Sequence, residues 1–524
     1  MFAIGLYDKQ KNTLTILRDR VGKKPLYYTH DHNNFAFASE LKSLKNLPWV
    51  KNHINPNAFN AYLRFSYVPG PASIIQRINK LEPGTLLIWN KNTGDIKKQP
   101  FWSLNEAIKR GKNNILTCSL TEAAEQLEAL LIKSIQVRLR SDVPLGVFLS
   151  GGIDSTIVAA IAQSLNNNPL KTFTIGFNEQ SHDESFFAKN IASYLGTEHH
   201  SLYLTENQAT KLIPSVIQQF DEPFADNSCV PTFLLSEFSK KLVTVVLSGD
   251  GGDELFGGYP RYFWGNRILN LQKYLGNFGI KSLSLLLQML PNSTLNLLYK
   301  TFLGSNANKT GLTLNERLQR FILYLQCTPD EVYRKLISTW EITDNITSIQ
   351  ATEWLGANCS EFSDYTWAEQ MMAIDQKYYL VDDILTKIDR TTMAVSLEAR
   401  TPMLDYRIVE WSWQLPNKFR FALFQDKGKI LLRKVLNNYV PNNLWERPKI
   451  GFGMPLDQWL RRGQLKDWAE FLIEDDNLKK SGVFEKDMVK KIWKEHLSGI
   501  NNLSKIWSIL TFQEWWLSWQ KQEL

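Results

Sequence analysis

The sequence predicts an α/β protein with antiparallel strands at the front, then a mainly parallel sheet, then a helical C-terminal part. Three observations predict it. Residues 1–103 break into short strand-like runs separated by turn signals. From about residue 120, apolar runs alternate with helical patterns, the mark of βαβ units. Two of those apolar runs end in glycine-rich acidic turns, "VFLSGGIDST" from Val147 and "SGDGGDELFGGY" from Ser248. Such strand ends are where open parallel sheets place their ligands.

Taken in order, the front strands are "FAIGLYD", "TLTILRD", "PLYYTH", "FAFASE" and "GTLLIWN", divided by "DRVGKKP", "HDHNN" and "LEPG". Residues 104–120, with "NEAIKRGKNN", read as a polar linker. The region 121–524 opens with the helical pattern "TEAAEQLEALLIKSIQVRLR" and the strand "VPLGVFLS". Helix "STIVAAIAQSL", strand "LKTFTIGF", helix "ESFFAKNIASYLG" and strands "EHHSLYL" and "LVTVVLS" follow. Residues 261–375 read as a helical, aromatic insertion without a chemical motif. Helices dominate from 376 onward. The closing "IWSILTFQEWWLSWQ" carries its aromatics at helical spacing, which predicts core rather than a binding stripe.

Composition narrows the class. At 524 residues the chain exceeds a single core and predicts several domains. The net charge is +7, but Lys and Arg are interspersed with Asp and Glu, so no nucleic-acid surface is expected. Cys118, Cys229, Cys327 and Cys359 lie far apart with no CxxC pair, against a zinc site and against a disulfide framework. "MFAIGLYDKQ" lacks the charged start of a signal peptide, and "SLSLLLQMLPNSTLNLLY" is too short and too broken to span a bilayer. The expectation is a cytoplasmic enzyme with neither membrane nor nucleic acid as partner.

The first glycine-rich turn has the features of a phosphate site. Gly151 and Gly152 leave backbone N–H groups open to an anion, the following helix adds its positive end, and Ser150, Ser155 and Thr156 add hydroxyls. No Gly-Lys-Ser/Thr follows, so it is not a Walker A loop, and it is not GxGxxG. Asp154 would repel bare phosphate, a conflict that Mg²⁺ removes by binding carboxylate and phosphate together. The second turn supplies Asp250, Asp253 and Glu254 at another apolar strand end, enough for a two-carboxylate magnesium site around a polyphosphate.

These residues resemble the asparagine synthetase type of amidotransferase. The matching pieces, in family order, are "GVFLSGGIDST", "TFTIGF", "DEPFADNSCVPT", "LSGDGGDELFGGY", "DDILTKIDRTTMAVSLEARTPMLD", "KGKILLR" and "RPKIGFGMPL". The match is strong over 120–260 and 376–460 and poor over 261–375. The resemblance implies an ATP pyrophosphatase domain using ATP and Mg²⁺. A substrate carboxylate becomes an acyl-adenylate, and ammonia then displaces AMP to form an amide. It implies Leu149 and Ile175 beside adenine and ribose, and Ser248 and Gly249 against the nucleotide. Ser150, Gly151, Gly152, Asp154 and Ser155 would cradle pyrophosphate, with Asp154 and Asp253 on magnesium. Lys429 and Lys449 look like the pyrophosphate-contacting lysines, Lys449 being the expected catalytic cation. Asp250 stands where the family often has Glu and where β-lactam synthetases have Tyr, at the position implicated in deprotonating the amine. Asp382, Asp383 and Glu398 are further acidic candidates, with salt bridging (Glu398 to Arg400 or Arg390) as their other reading. Aspartate is the default acceptor, and a surface-polysaccharide sugar acid is the rival. A tRNA-modifying ATP pyrophosphatase shares the loop but would need an RNA-binding module that is not evident.

In that family the front of the chain is an Ntn-type glutaminase whose nucleophile is an N-terminal cysteine. Here Met1 is followed by Phe2, and the first cysteine is Cys118. "FAIGLYDKQKNTLTILRDRVGKKPLYY" still resembles the later strands of that domain. Residues 1–103 are therefore expected to be a truncated glutaminase-like domain without glutamine hydrolysis of its own. The ammonia would be free, or come from a partner or missing segment that completes the glutaminase. A homodimer stays open.

Overall fold

The computed structural model describes residues 1–179, 183–289, 314–341, 344–353, 355–356, 358–422, 427–447 and 453–521. The front forms two antiparallel sheets. One has the order β1-β2-β6-β7, with β1 Ala3–Asp8, β2 Thr13–Arg18, β6 Thr85–Asn90 and β7 Ile96–Pro100. The other is β4-β3-β5, with β3 Tyr27–His30, β4 Phe35–Ala38 and β5 Ile78–Lys80. The five expected strands all form. The sequence reading missed β5 and β7, which are short or polar ("INK", "IKKQP"), and helix α1, Pro56–Phe65. Helix α1 carried a legible start, because Asn55 caps it and Pro56 sits at its first position. Strand β1 lies at a sheet edge and exposes Ile4 and Leu6.

The stretch 104–120, expected as a polar linker, carries a packed helix, α2 (Leu104–Asn113). Ser103 caps it, and Ala107, Ile108 and Gly111 are buried. A Cβ at Gly111 would lie 2.5 Å from the Trp413 side chain, so the helix meets the second domain at van der Waals distance. One narrow apolar stripe among charged residues is enough for burial, although its composition reads as linker.

The second region is a five-stranded parallel sheet, β10-β9-β8-β11-β12. Its strands are β8 Leu145–Phe148, β9 Lys171–Phe177, β10 Glu198–Leu204, β11 Val245–Leu247 and β12 Glu398–Arg400. Helices α3 Leu120–Arg138, α4 Ile153–Ser164, α5 Ser185–Leu195, α6 Glu206–Gln219 and α7 Cys229–Lys240 connect and cover the strands. A Ser119–Glu122 capping box starts α3. The strand order jumps from β8 to β11 at the sheet centre, so the two glycine-rich turns leave neighbouring strands side by side.

The C-terminal helix Leu503–Lys521 packs its aromatics inward. Trp507, Phe512, Trp515 and Trp519 are buried, Phe512 meets Phe59 of α1 at 4.9 Å, and Tyr62 donates to the Ser508 carbonyl at 2.6 Å. The stripe is core, shared between the front and the end of the chain. Among the described residues no helix is long and apolar enough to cross a membrane, and the stretch 282–299 lies partly outside them. All four cysteines are free thiols.

Candidate active site

The first turn begins where β8 ends. Leu149, buried, donates its N–H to the Phe173 carbonyl of β9 at 2.9 Å, and buried Ile175 lies two residues further along that strand. Gly151 takes a left-handed φ of 77°, which turns the chain into α4. Ser150 and Ser155 hold the turn shut: their hydroxyls are 2.9 Å apart, and Ser155 Oγ accepts the Ser150 N–H at 3.1 Å.

The second turn follows β11. Ser248 donates its hydroxyl to Asp250 Oδ2 at 2.8 Å, and Gly251 (φ 100°) opens the short helix α8, Gly252–Phe256. The two turns touch through glycine. A Cβ at Gly249 would lie 2.6 Å from the Ser155 amide nitrogen, and one at Gly252 would lie 2.3 Å from Asp154 Oδ1. No side chain fits between them.

Lys429 joins the two carboxylates. Its ammonium is 2.7 Å from Asp253 Oδ1 and also bonds Asp154 Oδ2. Burial works against that charge, but Asp154 and Asp253 together hold the lysine's pKa above its ordinary value. Its backbone is left-handed (φ 58°, ψ 35°), a conformation uncommon for a residue with a Cβ and one that a structure keeps only where surrounding contacts fix it. Here the Lys429 N–H donates to the Phe256 carbonyl at the end of α8, at 3.1 Å.

A magnesium polyphosphate fits this donor set. Two hard carboxylates, Asp154 and Asp253, converge on the Lys429 ammonium at the ends of adjacent strands, the oxygen-donor chemistry that a magnesium ion takes. Asp154 and Asp253 would hold the ion.

A second cluster stands next to Asp250. Lys387 bonds Asp226 Oδ2 at 2.6 Å, and Asp226 Oδ1 accepts the Ser228 N–H at 2.8 Å and its hydroxyl at 2.7 Å. Asp383 hydrogen-bonds Asp226, and burial followed by the Asp226 charge pushes its pKa well above the carboxylate range. Asp383 Oδ1 is buried, and the proton that its raised pKa retains can serve the hydrogen bond to Asp226. Burial likewise raises Asp250, against the pull of Lys387 and the Ser248 hydroxyl.

Residues 126–517 match the family model described as asparagine synthase, and residues 1–102 match that of a glutamine amidotransferase domain. The chain belongs to the asparagine synthase family. It is 30% identical over 521 residues to asparagine synthetase (glutamine-hydrolyzing) 1 of Bacillus subtilis, covering 98% of this chain and 77% of that one. It is 36% identical over 402 residues to a putative asparagine synthetase (glutamine-hydrolyzing) 2 of Methanocaldococcus jannaschii, covering 75% and 72%. A putative asparagine synthetase (glutamine-hydrolyzing) of Mycobacterium bovis is 30% identical over 533 residues, covering 98% and 76%. The protein is thus a ligase of the asparagine synthase family.

In this member of the family, the expected site residues Ser150, Gly151, Gly152, Asp154, Ser155, Ser248, Gly249, Asp253 and Lys429 come together around the two turns, with Asp250 beside them. Lys449 lies outside the described residues. Its near neighbour Arg447 is described and was missed from sequence. It donates to the Ser150 carbonyl at 3.3 Å, pairs with Glu184 at 2.9 Å and stacks over Phe187. Glu398 pairs with Arg400 at 2.7 Å, as its structural reading expected, and Asp382 faces Lys80 at 3.6 Å. Lys387 and Asp226 also went unseen, although both lie inside quoted motifs.

Two predictions arise here. A Cβ at Gly258 would lie 1.9 Å from Asp253 Oδ1 and 2.3 Å from Lys429 Cε. Gly258→Ala is therefore expected to displace the bridge and slow pyrophosphate release from ATP by on the order of 100-fold, measured by steady-state assay. The other concerns Glu254, buried, which accepts the Tyr259 hydroxyl at 2.5 Å. Burial and the neighbouring Asp253 raise its pKa from 4.5 to about 7. Folding thus favours the protonated acid, and the stability this contributes is complete below pH 4.5 and lost as pH rises through about 7. Urea unfolding of Glu254→Gln across that window is expected to lack this loss.

Proposed function

We propose that the chain activates the side-chain carboxylate of aspartate with ATP and converts it to asparagine with ammonia. The carboxylate oxygen attacks the α-phosphorus of ATP, giving aspartyl-adenylate and pyrophosphate. Ammonia then adds to the acyl carbon, loses a proton, and expels AMP. The observation that carries the reading is Lys429 bridging Asp154 and Asp253 across two abutting glycine turns.

Each group has a task in this reading. The amides of Gly151 and Gly152 and the hydroxyls of Ser150 and Ser155 bind phosphate oxygens. Leu149, Ile175, Ser248 and Gly249 line the nucleoside. A magnesium ion held by Asp154 and Asp253 supplies charge neutralisation for the triphosphate when bound. Lys429 meets the negative charge that grows on the departing pyrophosphate, and Asp250 takes the proton from the added ammonia.

The Asp226–Asp383–Lys387 cluster supports an amino-acid acceptor. Its Asp226 carboxylate suits an ammonium group, the neighbouring Asp383 acid can hydrogen-bond one, and Lys387 suits a carboxylate. A sugar acid brings no ammonium to offset those acids. Nitrogen reaches the acyl carbon as ammonia in this scheme, whatever releases it.

Oxygen-18 in the aspartate carboxylates tests the adenylate. One labelled oxygen per turnover is expected in AMP, since the attacking oxygen stays with phosphorus. Label-free AMP would sink the mechanism.

A further inference from the structure

Residues 367–393 run as one helical rod: Trp367–Ile374 is α-helical, Asp375–Ile384 is π-helical, and Leu385–Met393 is α-helical again. π-Helical geometry is rare, generally confined to single turns and frequent at functional sites. Here it spans ten residues, and both flanks are pinned. At its start, buried Asp375 accepts from Arg261 at 2.9 Å, from the Tyr262 hydroxyl at 2.6 Å and from the Tyr333 hydroxyl at 2.7 Å. Beyond its end, Asp389 pairs with Lys24 at 2.7 Å and Arg390 with Asp221 at 2.7 Å.

Between those flanks, two successive carboxylates serve different domains. Asp382 Oδ2 accepts the Gly70 N–H at 2.8 Å, and Asp382 Oδ1 lies 3.6 Å from Lys80 Nζ. Gly70 and Lys80 belong to the N-terminal domain, where Lys80 is fixed by Glu222 at 2.8 Å and by the Val68 carbonyl at 2.5 Å. Asp383, the next residue, bonds Asp226, and Lys387, on the next turn, pairs with that same Asp226. The residue the front domain grips is therefore adjacent in the chain to one that lines the cluster beside Asp250.

We propose that Asp382 is a positioning residue for amide formation. Its grip on Gly70 and Lys80 maintains the π-helical turn, so that Asp383 and Lys387 reach Asp226 and the acceptor. Without that grip the segment relaxes toward α-helix, and the side chains after it rotate away from the cluster. The inference rests on reading the cluster as the acceptor subsite.

The test compares wild type, Asp382→Ala, Asp383→Ala and the double variant, with aspartate varied at saturating ATP and ammonium. Asp382→Ala is expected to lower kcat/KM for aspartate by on the order of 100-fold, the scale of an ångström's misplacement. KM for ATP is expected to stay within about twofold of wild type. In the Asp383→Ala background, Asp382→Ala is expected to add little, because it acts through Asp383. Asp382→Asn, which still accepts from Gly70, is expected to fall between, and it carries the comparison if the alanine variant does not fold. An aspartate kcat/KM near wild type, an equal loss for ATP and aspartate, or effects that multiply in the double variant would each overturn the proposal. If the wild type itself shows no aspartate dependence, the acceptor reading fails on its own. Hydrogen exchange then decides the positioning role: faster exchange across 379–387 but not 153–164 in Asp382→Ala upholds it, and unchanged exchange overturns it.

Discussion

Lys429→Met is expected to slow ATP-dependent pyrophosphate release by roughly 100- to 1,000-fold, the usual effect of removing one well-placed electrostatic group. The lysine pairs with both Asp154 and Asp253. Without it, Asp154 and Asp253 lose the cation they share, and breaking a buried pair of this kind costs about 3–5 kcal/mol of stability. The variant is therefore expected to melt at a lower temperature and to recover part of the loss with Mg²⁺, which can occupy the space between the carboxylates. Arginine is a poor rescue, because its planar fork does not fit a point-charge position beneath Gly258. Single-turnover release measured on folded protein checks the rate, and a variant within a few-fold of wild type would remove Lys429 from the chemistry.

Asp250→Asn is expected to separate the two halves of the reaction. The carboxylate sits on the second turn, held by the Ser248 hydroxyl and raised in pKa by burial, with Lys387 opposing. A raised pKa suits a base that must accept a proton near neutrality, and losing such a base costs roughly 100- to 10,000-fold. Amide formation is expected to fall by that factor while aspartate-dependent pyrophosphate release persists, so that the adenylate drains to hydrolysis. Asp250→Glu, which keeps a carboxylate on a longer side chain, is expected to keep amide formation. Equal losses of pyrophosphate and amide in Asp250→Asn would place the residue in activation rather than in amine attack.

Much of the site was legible because its chemistry is local. Gly151, Gly152 and Asp154 fall within four residues, as do Asp250, Gly252 and Asp253, and each group follows an apolar strand. Their meeting required only that β8 and β11 be neighbours, which the parallel-sheet pattern suggested without fixing. What could not be read was pairing across long separations. Lys387 with Asp226, Arg261 with Asp375 and Lys80 with Asp382 join residues 114 to more than 300 positions apart, and nothing local in either partner announces the other. Helix α2 was misread for a different reason: three buried residues suffice to dock a ten-residue helix whose other residues are mostly polar. The π-helical turn left no composition signal, since tertiary contacts at Asp375 and Asp382 hold it rather than propensity.

The central claim is that one chain couples ATP cleavage to amidation of aspartate. The most direct test is pyrophosphate release from ATP and Mg²⁺, with aspartate and ammonium each present or withheld, alongside assay of asparagine and AMP. The account predicts release that requires aspartate, with asparagine and AMP formed in equal amounts when ammonium is present. Release indifferent to aspartate, or asparagine absent while AMP accumulates with ammonium in excess, would contradict it.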